Sequence, residues 1–463
     1  MCCTFWGLRL DNTCNNMKSV DIIKCDMCFF SHDGLFLIYT IINKIFVIQV
    51  KNLEMYRIYV ESYKIDDIKL SSDNIHFLTL IKNKGCVCIY SFYKNNLINK
   101  ICDYFQTYDH SFFLSKHNNI GIVKYEKKCL TIYNMNNPEK CLINIENIKY
   151  QNKGYCSNYI NTIFACLVEN KKDVNILLLS LFNYTIIKII KCINFFPNDI
   201  LFSKSDHIIA YSNKNRSLHI YSIDGDLLHV YKYAEDLGGI NIVSINKMKN
   251  TLALGLENGY VKILCLENFK EIKFFFLDNT LQMNDKLNIY KENISSKNHI
   301  NDILSTNIKS RRKKNEHFSF YTNVSEGIKE GEYKLKREKG SVEVATKIGI
   351  TFLSFSICGN YLSVLNEIHN NVVRIYETKN YSCIAILQQK NKVTFIQWDN
   401  ILYKPRLLIC TCTCYLFMWL PFECAVIKIS NDFVCKEAEW NNDGTLLLTK
   451  NDNSLALFYP RKK

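Results

Sequence analysis

Cysteine is the residue type whose number and spacing first suggest chemistry: the chain has 21. Cys25 and Cys28 form a CxxC pair, and Cys410, Cys412 and Cys414 alternate along a strand-like stretch. Alternation sets three thiols on one face of a strand, a geometry that a thiolate metal site can use. A structural zinc site takes four ligands from two paired motifs, however, and neither group has a partner CxxC or HxxxH. The expectation is packed free thiols and no metal, because buried cysteine behaves as a small hydrophobe. Met1–Asp11 lacks the basic start and apolar core of a secretory signal, which predicts reduced thiols in a cytosolic compartment. Glycine-rich phosphate loops, nucleophile elbows and metal-spaced histidine pairs do not occur, and the ten histidines are scattered. The expectation is no enzyme, no cofactor and no small-molecule substrate.

A second feature with chemical potential is the basic run Arg311, Arg312, Lys313 and Lys314, followed by KLKREK at Lys334–Lys339. Such a run can hold an acidic partner: nucleic acid, an anionic membrane, or the acidic tails of tubulin. Glu326, Glu330, Glu332 and Glu338 interrupt the basic residues, so a solvated loop explains the same composition and is the preferred reading. The net charge of +14 is spread along the whole chain and singles out no partner.

The element around which the chain is organised is Thr251–Leu264. Leu252, Leu254 and Leu256 alternate with small or polar residues as in a half-buried strand, and Asn258-Gly259 then supplies a hairpin turn. With flanking strands at Ile240–Ile245 and Glu271–Leu277 this makes one four-stranded blade of a WD-type propeller. The unit recurs. Third strands end at Ile48, Tyr90, Tyr133, Leu179, Tyr221, Leu264, Tyr376, Trp419 and Tyr459. Their spacing falls in the range of about 40–45 residues that propeller blades show, apart from one long interval. The units read as 21–61, 65–107, 108–150, 156–195, 197–238, 239–277, 347–390, 391–430 and 431–460. Asp33-Gly34, Asp224-Gly225 and Asp443-Gly444 supply further tight turns.

The fold class is therefore all-β, a WD40-type propeller of about nine four-stranded units. One ring is expected; seven or eight blades with a flanking unit is the alternative. The domain plan is units one to six over 1–277, a flexible basic insert over 278–346, and units seven to nine over 347–460. The last unit supplies three strands, and Thr4–Leu10 is expected to complete it and remove its open edge. Apolar runs such as Ile176–Phe182 are far short of the ~18 residues of a membrane span, so none is expected.

The later units carry a family resemblance. Lys347-Ile348-Gly349-Ile350 opens a blade, Phe395-Ile396-Gln397-Trp398-Asp399 opens the next, and Pro405-Arg406-Leu407-Leu408-Ile409-Cys410-Thr411 follows. Tyr221–Leu228 and the Leu252–Leu264 unit also match. In these motifs the chain resembles the WD-repeat protein eight, or WRAP-type, family of centrosomes and spindle poles. The resemblance implies a scaffold at a microtubule-organising centre that helps anchor microtubule minus ends. The implied partners are a coiled-coil anchoring protein and minus-end components. Two other readings stay open: a propeller subunit of a translation initiation complex, and a nucleic-acid-binding protein acting through the basic insert.

Overall fold

The computed structural model describes residues 17–19, 22–277, 280–282, 287–296, 317–323, 332–334 and 349–460, excluding 95–96, 104, 115–118, 151–152, 171–172, 234–237, 404 and 422. Among these residues the chain folds into nine propeller blades, each a sheet with at least four strands. Blades 1 to 6 span 27–60, 67–102, 110–146, 155–192, 199–232 and 240–276, and the repeating strands of blades 7 to 9 span 350–388, 395–428 and 437–460. One compact unit, 25–274, holds blades 1 to 6 except the last two residues of blade 6; a second, 1–24 with 275–463, holds blades 7 to 9. The nine units read from the sequence correspond to these blades to within a few residues. The fourth, whose pattern is blurred, is as regular as the rest, with Ile163–Asn170 and Asp173–Ser180 paired along their full lengths.

Local chemistry explains the repeat. Wherever the turn after the first strand is described, it is built on a short polar side chain withdrawn from solvent. In blade 1, Ser31 Oγ donates to Asp33 and accepts the Phe36 amide at 2.9 Å. Asp33 accepts the Leu35 amide, and Gly34 adopts φ +73°, a left-handed conformation that glycine reaches without strain and that Asn74 takes at the same position in blade 2. Ser71 and Asp73 repeat the arrangement in blade 2, as Asn441, Asp443 and Gly444 do in blade 9. The recurring third-strand position has an equally local cause. At Ile48, Tyr90, Tyr133, Leu179, Tyr221 and Tyr376 the pairing with the fourth strand shifts register. Each shift leaves one extra residue on the fourth strand, such as Tyr56, Ile98 or Leu142, a bulge that adds local twist.

The core is a series of apolar clusters, most of them shared by consecutive blades. Leu167, Ile176 and Leu178 of blade 4 pack with Ile200, Ile208 and Tyr221 of blade 5. Leu408, Leu416 and Met418 of blade 8 pack with Ala438, Trp440 and Leu447 of blade 9. This stacking corrects one expectation. Thr251–Leu256 is buried along both faces rather than half-buried. Buried polar groups are paired across blades: Glu61, after the last strand of blade 1, accepts from Thr79 Oγ1 at 2.7 Å and Tyr90 OH at 2.8 Å in blade 2.

Two features depart from the sequence reading. The strand beside Ser454–Pro460 is supplied by the N-terminal segment, but by Met17–Ser19 and Ile23–Lys24. Thr4–Leu10, expected in that place, lie outside the described residues. The insert, drawn as 278–346, also takes in ordered strands. Asn288–Ser296 runs parallel to Ser382–Gln388 at the outer edge of blade 7, and His317–Asn323 pairs antiparallel with it, giving a six-stranded sheet. The hairpin is held by specific contacts. Ile289 and Glu292 are buried, Glu292 accepts the Lys390 amide at 2.8 Å, and the Tyr321 ring lies edge-on to Phe417 of blade 8. Thr280–Gln282 pairs with Glu332–Lys334 as a separate two-stranded element. Helical structure among the described residues is limited to two single turns, Lys82–Lys84 and Tyr125–Lys127.

Candidate functional site

The thiols are the first candidates to be placed. Cys25 and Cys28 are both buried, Cys28 within the first strand of blade 1. Cys410, Cys412 and Cys414 do not share a strand face. Cys410 ends the second strand of blade 8, Cys412 sits in the following turn at φ +51°, and the next strand starts at Tyr415. The turn interrupts the alternation that the spacing suggested. Cys410 points instead into the core toward blade 9, its sulfur 3.6 Å from that of Cys435, and its hydrogen bond with this second thiol, together with burial, pushes its pKa up. Cys86 and Cys88 make a similar contact at 3.7 Å in blade 2. Among the described residues no group of three or more His, Cys, Asp or Glu side chains has the geometry to hold a metal ion. Arg311, Arg312, Lys313 and Lys314 lie outside the described residues.

The surface feature that sequence reading missed lies in the unit of residues 25–274. The turns after the first strands of blades 4, 5 and 6 come together there, starting from buried polar residues. Asn158 accepts the amides of Thr162 and Ile163, and its Nδ2 donates to Asp206 at 3.1 Å, tying the blade 4 turn to that of blade 5. In blade 6, Asn246 is buried and accepts the amides of Met248 and Lys249, both at 3.1 Å. Fixing the turn from inside leaves Lys247, Met248 and Lys249 exposed.

With Lys204, Ser205, Asn250 and Glu267 these residues line an open hollow of about 550 Å³. Three ammonium groups therefore surround it against one carboxylate. Apolar surface adjoins the charge: Lys247 Nζ lies 6.0 Å from the Tyr159 ring centroid, and Tyr159, Ile160 and Met248 are each more than half exposed. The lysines are single residues 43 and 45 positions apart in sequence, one blade period. Only the period, which aligns Lys204 with the 247–249 turn, could have signalled their convergence.

The fold defines a class. Blades of four antiparallel strands, the capped turns after first strands and the bulged third-strand position make this a WD-repeat β-propeller. Solved propellers agree on the fold: the C-terminal WD40 domain of Sif2, with 10% identity and TM-score 0.50, covers 96% of this chain and 99% of its own. Saccharomyces cerevisiae Sqt1, with 9% identity and TM-score 0.52, covers 86% of this chain and 96% of its own. No protein-family model matches the chain. The resemblance read from the motifs is borne out at the level of a particular relative. The chain is similar to WD repeat-containing protein WRAP73 of Mus musculus, at 23% identity over 472 aligned positions that cover 94% of each protein. Among the described residues no helix is long and apolar enough to cross a membrane.

Proposed function

We propose that this chain is a non-enzymatic WD-repeat scaffold of a microtubule-organising centre or spindle pole, where it helps anchor microtubule minus ends through a coiled-coil partner. The observation that carries the reading is the similarity to WRAP73 along 94% of both chains, rather than over a single blade. The architecture is consistent with it. WD40 propellers mediate protein–protein interactions, and repeated rigid blades present turn after turn without needing chemistry of their own.

Residence at the pole and the coiled-coil partner are parts of the same proposal; for the basic run Arg311–Lys314 a solvated loop stays the preferred reading over weak contact with tubulin tails. Affinity purification of the tagged protein from dividing cells, with mass spectrometry, tests the partner. Recovery of a coiled-coil anchoring protein together with minus-end components is the expected result. Co-purification with small ribosomal subunits in their place overturns the reading in favour of a translation complex.

A further inference from the structure

We propose that the hollow at the blade 4, 5 and 6 turns is a docking site for an acidic, aromatic-containing segment of a partner protein. The inference stands apart from the spindle-pole reading, because it rests on this surface alone. Lys204, Lys247 and Lys249 place three positive charges around one concavity, with Glu267 the single opposing charge in its lining. Charge complementarity thus asks for a ligand with several carboxylates. Charge alone is not the whole surface: Tyr159, Ile160 and Met248 offer exposed apolar area beside it, and Lys247 lies toward the Tyr159 ring. Methionine adapts its shape to different partners, and tyrosine provides a stiff apolar face with a polar tip.

A peptide fits this mixture better than a nucleic acid does. A polynucleotide groove tracks a backbone with an extended basic stripe and stacks bases on successive aromatic rings. Here three lysines gather round one hollow rather than along a stripe, the ring near Lys247 is Tyr159, and the Glu267 carboxylate would face phosphate. That carboxylate is an acceptor for peptide N–H groups. Its position at the hollow also favours a segment with charges at intervals over a uniform polyanion. The turn itself is rigid, since Asn246 and Asn158 fix it from the buried side. Little ordering is therefore required of the protein on binding.

The test uses the full chain and fluorescence anisotropy with three labelled probes: a peptide alternating glutamate pairs with single phenylalanines, a charge-matched glutamate–serine peptide, and an oligothymidine. The expected order is tightest binding to the glutamate–phenylalanine peptide, with affinity falling several-fold as salt shortens the Debye length below ~10 Å. Lys247→Glu/Lys249→Glu should weaken it by about tenfold or more, a loss set by repulsion replacing attraction at close range. Met248→Ser should weaken the glutamate–phenylalanine peptide and leave the glutamate–serine peptide unchanged. Lys51→Glu/Lys64→Glu, exposed residues of blade 1, changes net charge equally and should change nothing. Because all these side chains are exposed, unchanged melting curves confirm folding. Equal affinity for all three probes, or equal losses in the two double variants, shows non-specific attraction to a basic protein and overturns the proposal.

Discussion

Arg406 is the residue whose loss should cost the described fold most sharply. Its Nε lies 2.7 Å from Asp399 Oδ2, and the two side chains are 8% and 0% exposed. Its Nη2 donates to the Gly444 carbonyl at 3.1 Å, and its guanidinium lies 3.8 Å from the Trp440 ring centroid. One side chain of blade 8 therefore joins a carboxylate of its own blade to the backbone and an aromatic ring of blade 9. Arg406→Met strands the Asp399 carboxylate, which should cost ~3–5 kcal/mol. The cation–π contact adds on the order of 1 kcal/mol to that side of the balance. Burial already holds the Asp399 carboxyl above its ordinary pKa despite the arginine, so the pair is not expected to be strongly stabilising in net terms. Asp399→Leu/Arg406→Met should accordingly cost far less than either single change. Gly444→Ala attacks the same point differently, since its Cβ would stand 2.2 Å from Arg406 Nη2 and from Ile401 Cδ1 at φ +67°. Equilibrium urea unfolding followed by tryptophan fluorescence reads all of these, because Trp398, Trp419 and Trp440 are buried in blades 8 and 9. A loss below ~1 kcal/mol for Arg406→Met, small enough for an exposed pair, would refute the argument.

Three further outcomes are expected. Deleting residues 17–24 uncovers the edge of Ser454–Pro460 and should lower the melting temperature and promote aggregation, measured by scanning calorimetry and light scattering; an unchanged profile shows that this strand does not seal the blade. Tyr321→Ala should loosen the hairpin on blades 7 and 8, so that after tryptic cleavage within 297–316 the strand 317–323 exchanges amide hydrogen faster than in the parent protein. Burial, with Lys232 adding to it, pushes His219 down to about 4, and its ring stacks on Phe195 at 3.7 Å. The unfolded imidazole takes its proton near pH 6.5 and the folded one only near 4, so the stability it contributes at neutral pH should be lost as pH falls through that window. His219→Gln should flatten this part of the acid limb, and an identical pH–stability curve contradicts it.

Much of the fold was legible because a propeller writes its period into the chain. The third-strand residues from Ile48 to Tyr459 recur at one period, and at six of them the pairing with the fourth strand shifts register, so spacing alone located the blades. What spacing could not supply was pairing. Nothing in Met17–Ser19, with lysine at its centre, marks it as a strand more strongly than Thr4–Leu10 does. Asn288–Ser296 is mostly polar because it adds outside the four repeating strands of blade 7; of its described side chains, Ile289, Tyr290 and Glu292 are buried. Cys410, Cys412 and Cys414 misled for a related reason: alternation does not reveal that a turn falls between them. The lysines of the candidate site come from separate blades, and single exposed lysines carry no signal until the fold brings them together. Arg406 and Asp399, by contrast, stood inside the quoted motifs, and the structure supplies a packing reason for both.

The proposed role of this propeller is that of a scaffold at the microtubule-organising centre. Live imaging of the endogenously tagged, full-length protein through mitosis tests it most directly. The account predicts a focused signal at each spindle pole that persists when cytoplasmic microtubules are depolymerised, since an anchoring scaffold resides at the pole rather than along the polymer. A signal that stays diffuse throughout division, or that follows ribosomes, contradicts it.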